Sequence, residues 1–84
     1  MNLYLVSQAV NTDYDTYDSF VVVAPDEEYA RHTHPDLAPE DKADGFWWNS
    51  TWTSELDKVE VKLIGTAAKH LVKGQVICAS FNAG

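Results

Sequence analysis

One run of branched and aromatic residues, Ser19-Phe20-Val21-Val22-Val23-Ala24, constrains the fold of this chain more than any other feature. Three consecutive β-branched side chains fit a pleated strand, and Asp18 and Pro25 bound the run with residues that strands avoid. We therefore predict a β-strand over residues 19–24. The rest of the chain must supply the strands that pair with it, because an isolated strand leaves its backbone unpaired.

Three other segments have strand character. Residues 2–10 are rich in aliphatic and aromatic side chains, and the Asn- and Asp-dense residues 11–18 after them predict a hairpin connection. Residues 58–65 alternate, with Val59, Val61 and Leu63 on one face and charged side chains on the other. Residues 75–81 are nearly all apolar, which predicts a central or buried strand. Residues 66–73 form a connection that Gly74 closes with a turn.

One helix is predicted between the second and third strands. Asp26 is placed to cap residues 27–34, two glutamates occupy the first turn, and Pro35 ends the helix. Two turns are too short to be stable alone, so the helix must pack on the sheet. The order β-β-α-β-β predicts an α+β fold: a small antiparallel sheet of about four strands with one short helix on one face. Residues 35–50 read as an exposed loop, and the whole chain, residues 1–84, as one domain.

The size and composition restrict how such a fold is stabilised. With 84 residues the core is thin, and an aromatic content of 12% indicates that large rings compensate for the small number of residues. Cys78 is the only cysteine, so no intramolecular disulfide is expected. Residues 1–8 lack the features of a signal peptide, and no apolar run approaches the roughly 20 residues that span a bilayer. We expect a cytoplasmic protein.

The charge is strongly negative and unevenly distributed. The formal net charge is −7, which argues against direct nucleic-acid binding because phosphate contacts need Lys and Arg. Residues 1–57 hold all the acidic side chains except Glu60, whereas residues 58–84 have a net positive charge. This asymmetry has two interpretations: an acidic surface that attracts a basic partner, or acidity that serves solubility alone.

Two patterns resemble metal sites without completing them. His32, His34 and Asp36 form a His-x-His-x-Asp string, but at a helix end the two histidines point about 200° apart. The alternative is that both imidazoles are solvated and interact with the helix dipole. Asp13, Asp15 and Asp18 resemble the start of a calcium loop, yet the glycine and the terminal glutamate of that loop are missing. We predict no bound metal and no cofactor.

Catalysis is not indicated by any local motif. Cys78 lies between Ile77 and Ala79 in an apolar strand, where a thiol is usually a small buried hydrophobe. No glycine-rich loop precedes the helix to hold a phosphate. We therefore predict that the protein is not an enzyme and has no catalytic residues.

Aromatic residues beside acids are the best candidates for a partner-binding surface. Tyr and Trp dominate many protein interfaces, and acidic neighbours would steer a basic partner. For Trp47 and Trp48 partner contact and core packing remain open alternatives, whereas Trp52 is expected in the core. The candidate partner-binding residues are Asp13, Tyr14, Asp15, Tyr17, Asp18, Asp41, Asp44, Trp47 and Trp48.

Several segments resemble small uncharacterised phage and prophage proteins. The segments are Leu-Tyr-Leu-Val-Ser-Gln near the start, Tyr-Asp-Thr-Tyr-Asp-Ser at residues 14–19, the Val-Val-x-Ala-x-x-Glu-Glu-x-Ala-Arg stretch and the closing Val-Ile-Cys-Ala-Ser-Phe-Asn-Ala-Gly. The resemblance implies expression in the cytoplasm of a bacterial host. By analogy of setting, it suggests a protein that binds and inhibits a host protein with a basic nucleic-acid-binding surface, as anti-CRISPR or anti-restriction inhibitors do, in part by mimicking nucleic acid. The alternative is a structural, self-assembling protein that forms a homodimer or another homo-oligomer.

Overall fold

The computed structural model describes residues 1–12, 14–35, 51–53 and 55–82. Within these ranges the protein has an α+β fold that consists of a four-stranded antiparallel sheet and a short α-helix, as predicted. A 3₁₀ helix between the α-helix and the third strand was not predicted. The elements are β1 (Asn2–Ser7), β2 (Thr16–Ala24), α1 (Glu27–Arg31), the 3₁₀ helix (Leu56–Lys58), β3 (Glu60–Thr66) and β4 (Val76–Asn82).

The order of strands across the sheet is β3-β1-β2-β4, and each neighbouring pair is antiparallel. β1 and β2 form a regular hairpin at the centre, in which Tyr4 lies opposite Val22 and Val6 opposite Phe20. Both outer pairs contain register shifts, at Leu3/Tyr4 in one and at two places along β2 in the other. Because β3 and β4 stand at the two ends of the strand order, they are the two edges of the described sheet.

The core lies between one face of this sheet and α1. Alternate residues of a strand share a face, so Tyr4 and Val6 of β1 point to the same side as Phe20 and Val22 of β2. Trp52 covers this side, is fully buried, and meets the Phe20 ring edge-on with 5.1 Å between ring centroids. The buried core cluster comprises Tyr4, Val6, Phe20, Val22, Ala24, Ala30, Trp52 and Val59.

The helix is shorter than the sequence predicts. The Asp26 carboxylate accepts the Tyr29 amide at 2.8 Å, as expected of the N-cap, but α1 ends at Arg31 instead of His34. The hydroxyl of Thr33 donates to the carbonyl oxygen of Tyr29 at 2.8 Å. The Nδ1 atom of His32 lies 2.8 Å from the carbonyl oxygen of Glu28. The Thr33 hydroxyl thus occupies the carbonyl that the Thr33 amide would bond in a continuing helix, and that amide bonds the Ala30 carbonyl instead at 3.2 Å, which favours termination.

The last strand was predicted to be central or buried in the sheet, and this prediction is wrong. β4 is an edge strand, and every residue from Ile77 to Asn82 is exposed. Cys78, expected to be a buried hydrophobe, is an exposed free thiol for the same reason. An apolar composition indicates that a segment is suited to a strand, but it does not distinguish the middle of a sheet from its border.

Candidate partner-binding surface

The connection between β1 and β2 presents the more exposed of the two predicted site rings that the structure describes. Tyr14 is 76% exposed at the tip of the hairpin. Asp15 follows with a φ of 62°, a left-handed conformation that Asp and Asn tolerate better than most residues. Its amide donates to the carbonyl of Asn82, so the tip is attached to the end of β4. Tyr14, Asp15 and the exposed Asp18 are called the hairpin tip below.

Gln8 holds this connection in place. Its side chain is nearly buried, and its amide nitrogen donates to the carbonyls of Asn11 at 2.7 Å and Tyr17 at 2.8 Å. Its amide oxygen accepts from the backbone of Val10 and Asn11 at 2.9 and 2.8 Å. Because this side chain replaces ladder hydrogen bonds, β1 ends at Ser7 and not at the predicted residue 10.

Asn11 extends the same network to the core. Its side-chain amide donates to the carbonyl oxygen of the buried Trp52 at 2.8 Å. The hairpin connection is thus anchored to the core as well as to both flanking strands. Sequence reasoning missed Gln8 and Asn11 as positioning residues, although a glutamine after the apolar run of β1 was the available signal.

Tyr17 has a different environment from Tyr14. Its ring is half-buried, packs against the core cluster, and meets Phe81 of β4 edge-on with 4.7 Å between ring centroids. The register of β2 and β4 shifts between Tyr17 and Ser19, which leaves Asp18 without a cross-strand partner in that ladder. Tyr17 therefore joins β2 to β4, while the two acids of the tip face solvent.

The described acidic side chains are all exposed but form more than one group. Asp15 and Asp18 lie where β2 begins, and Asp26, Glu27 and Glu28 lie just after it ends. Seven residues, Ser19 to Pro25, lie between Asp18 and Asp26, a span of about 25 Å at roughly 3.3 Å per residue. Glu55, Asp57 and Glu60 lie at the start of β3, next to Lys58.

Five of the predicted partner-binding residues lie outside the part of the chain that the structure describes: Asp13, Asp41, Asp44, Trp47 and Trp48. Asp36 of the His-x-His-x-Asp string also lies outside it. Trp52 is buried, as predicted. Its indole nitrogen is a buried donor with no hydrogen-bond partner among the described residues.

The two histidines of that string lie in contrasting environments. His32 is exposed, with Nδ1 3.7 Å from the carboxylate of Glu28. His34 is buried, contrary to the expectation that both imidazoles are solvated, and its Nε2 lies 3.5 Å from the Thr51 hydroxyl. Across the described ranges, three or more His, Cys, Asp or Glu side chains nowhere converge as metal ligands would. Those ranges also lack a helix of the length and apolar character that crossing a membrane requires.

An open depression of about 500 Å³ lies along β3 and next to Arg31. Its charged lining includes Arg31, Asp57, Glu60 and Lys62. The Arg31 guanidinium already donates to the carbonyls of Leu56, at 3.3 Å, and Val59. This arginine therefore joins α1 to the segment before β3, and its hydrogen bonds are directed at the protein's own backbone.

Comparison with protein-family models gives no match, and neither the curated proteins nor the solved structures contain a significant one. The geometry defines a small α+β domain with an anchored, acidic hairpin tip.

Proposed function

We propose that the protein is a non-enzymatic binding module that contacts a basic surface of another protein through its hairpin tip. The observation that supports this most directly is Tyr14, a 76% exposed ring between acidic residues on an anchored loop. Exposed tyrosines bury a large area at a low cost in side-chain entropy, which makes them effective interface residues. Because Gln8 and Asn11 already fix the loop, less ordering would be needed on binding.

The acidic neighbours give this surface its preference for a basic partner. Asp15 and Asp18 are both exposed, so their charges act on an approaching molecule over about 8–10 Å at physiological salt. Oriented charges of this kind mainly raise the association rate and select the partner. The hairpin tip would contribute negative charge and an aromatic ring, the two chemical features of a nucleotide that a basic groove recognises.

The partner that we propose is a host protein with a basic nucleic-acid-binding surface, in the phage setting that the sequence resemblance implies. Inhibition would follow if the hairpin tip occupied part of the groove that holds the nucleic acid, as in a CRISPR or restriction complex. Because the described acids form separate groups, we propose mimicry by the tip alone and not by the whole surface.

A pull-down from bacterial lysate with matched variants tests this proposal. The test variant is Asp15→Asn with Asp18→Asn, in which asparagine still tolerates the left-handed backbone at residue 15. The control is Asp26→Asn with Glu27→Gln, which removes the same charge at the other end of β2 and retains a capping side chain. A third variant, Tyr14→Ser, removes the ring alone.

We expect wild type and control to retain a stoichiometric partner that elutes at moderate salt. The hairpin-tip variants should lose it, with about a tenfold or greater fall in affinity for Tyr14→Ser. Equal losses in both double variants would mean that total charge and not the tip determines binding. A partner retained by every variant would contradict the proposed surface.

A further inference from the structure

A second exposed ring lies next to the hairpin tip. Phe81 of β4 is 44% exposed, and its ring meets that of Tyr17 edge-on. The amide of Asp15 donates to the carbonyl of Asn82, which directly follows Phe81. Tyr14 directly precedes Asp15, so the two exposed rings come from chain positions adjacent to this hydrogen bond. The start of β2 and the end of β4 therefore present two aromatic side chains beside the two carboxylates of the tip.

The two carboxylates are free to bind a partner. Asp15 and Asp18 are exposed, and within the part of the chain that the structure describes neither side chain has a hydrogen bond or an ion pair. Other acids differ: the carboxylate of Asp26 caps α1, and Glu28 and Glu55 each have a described ion-pair partner. The acids of the hairpin tip therefore keep their full capacity to accept hydrogen bonds.

We propose that the hairpin tip selects arginine over lysine on the basic surface that it contacts. The guanidinium group of an arginine stacks on the Tyr14 ring and donates to a carboxylate of the tip. Phe81 supplies apolar area for the methylene stems of the basic side chains around it. This inference rests on the proposed function, since it names the side chain through which the hairpin tip recognises its partner.

Arginine fits this combination of groups better than lysine does. Its guanidinium is planar and weakly hydrated, so it lies on an aromatic face while its N–H groups donate to a carboxylate, two at a time in the best geometry. The ammonium of lysine is a compact and strongly hydrated charge, which loses more hydration when it reaches a ring. A carboxylate alone binds either ion, so the exposed ring beside the acids is the feature that discriminates between them.

The protein's own contacts fix the positions of both rings before binding. Tyr17 is half-buried against the core cluster and contacts Phe81 with 4.7 Å between ring centroids. β4 pairs with β2 along this end of the sheet, and Gln8 and Asn11 hold the connection that carries Tyr14. A surface that is already ordered loses less conformational entropy on binding, so more of the gain from each contact appears as affinity.

NMR titrations of the ¹⁵N-labelled protein with hexa-arginine and with hexa-lysine test the inference, because the two peptides have equal length and equal charge. We expect both peptides to shift the backbone amide signals of the hairpin tip and of Phe81. The dissociation constant should be about fivefold lower for hexa-arginine, through contact of a guanidinium with the Tyr14 ring. The titrations need no cellular partner, so their outcome is separate from that of the pull-down.

Three variants separate the contributions of the side chains. Tyr14→Leu should abolish the difference between the peptides, because leucine retains an apolar side chain but has no aromatic face. Phe81→Ser should weaken the binding of both peptides by a similar factor, since the stems of lysine and arginine are both apolar. The control is Asp26→Asn with Glu27→Gln, at the other end of β2, which should retain the preference for arginine. Far-UV circular dichroism verifies that each variant is folded.

Three outcomes would overturn the inference. Equal dissociation constants for the two peptides, with shifts at the hairpin tip, would remove the preference for arginine and leave the proposal of a basic partner standing. A preference that survives Tyr14→Leu would show that the ring does not discriminate. If neither peptide shifts the amide signals of the hairpin tip, arginine recognition there is wrong, whereas the proposed function is judged separately by the pull-down.

Discussion

At the scale of single residues, Gln8 has a larger structural role than its polarity suggests. One side chain satisfies four backbone groups of the β1–β2 connection, and it is only 6% exposed. Buried polar side chains are stabilising when every group finds a partner, and removing one leaves the others unsatisfied. Gln8 therefore determines both where β1 ends and how Tyr14 is presented.

We predict that Gln8→Ala lowers the free energy of unfolding by about 2–3 kcal/mol, because four part-buried hydrogen bonds to the backbone are lost at once. The matched control is Gln75→Ala, since the exposed side chain of that glutamine accepts, among the described residues, just the Val72 amide, at 3.2 Å. It should cost less than about 1 kcal/mol. Urea unfolding followed by circular dichroism measures both, and equal losses would mean that Gln8 does not organise the connection.

At the scale of elements, the turn before β4 depends on a close approach between backbone and side chain. Gly74 has a φ of 85°, and a Cβ atom there would lie 2.8 Å from the Tyr29 hydroxyl of α1. The ammonium of Lys73 lies 5.4 Å from the centre of the same ring. The turn and the helix therefore pack together, and the start of β4 is positioned by both.

Gly74→Ala should destabilise the protein by about 1–2 kcal/mol, because an L-residue is strained at this φ. Gly65 of β3 offers the control, since a Cβ there meets nothing within 4 Å. Gly65→Ala should be neutral or stabilise the fold by a few tenths of a kcal/mol, roughly, through the unfolded chain. Thermal or urea unfolding distinguishes them, and equal effects would contradict the role of the turn.

At the scale of the whole molecule, exposed like charges oppose the compact state. The net charge is −7, and each described acidic side chain is exposed. The two described ion pairs, His32–Glu28 at 3.7 Å and Lys58–Glu55 at 3.6 Å, are both at the surface and offset little of this repulsion. Added salt should therefore stabilise the fold, because it reduces the repulsion between like charges by more than it weakens these two ion pairs.

We predict that raising the ionic strength from about 0.01 M to about 1 M increases the urea midpoint, because the Debye length falls from about 30 Å to about 3 Å. Sodium chloride is the test salt, and the expected gain is of the order of 1 kcal/mol. The double variant Asp26→Asn, Glu27→Gln should show a smaller gain, since it carries less charge. A midpoint that falls with salt would show that ion pairs outweigh the repulsion.

The sequence by itself determined the local features of this protein. The strand around Val21–Val23, the cap at Asp26 and the burial of Trp52 were predicted and are present. They follow from interactions between near neighbours: side-chain branching, a carboxylate three residues from an amide, and the cost of leaving a large ring in water. These preferences act whatever the rest of the chain does.

Only the tertiary structure decided which strands lie at the edges, and with them the candidate surfaces. β4 has the composition of a buried strand, yet the order β3-β1-β2-β4 leaves it and Cys78 exposed. His34 is buried for a similar reason, through packing that its neighbours in sequence do not specify. Strand order depends on pairing between segments far apart in the chain, and periodicity within one segment carries no information about its partner.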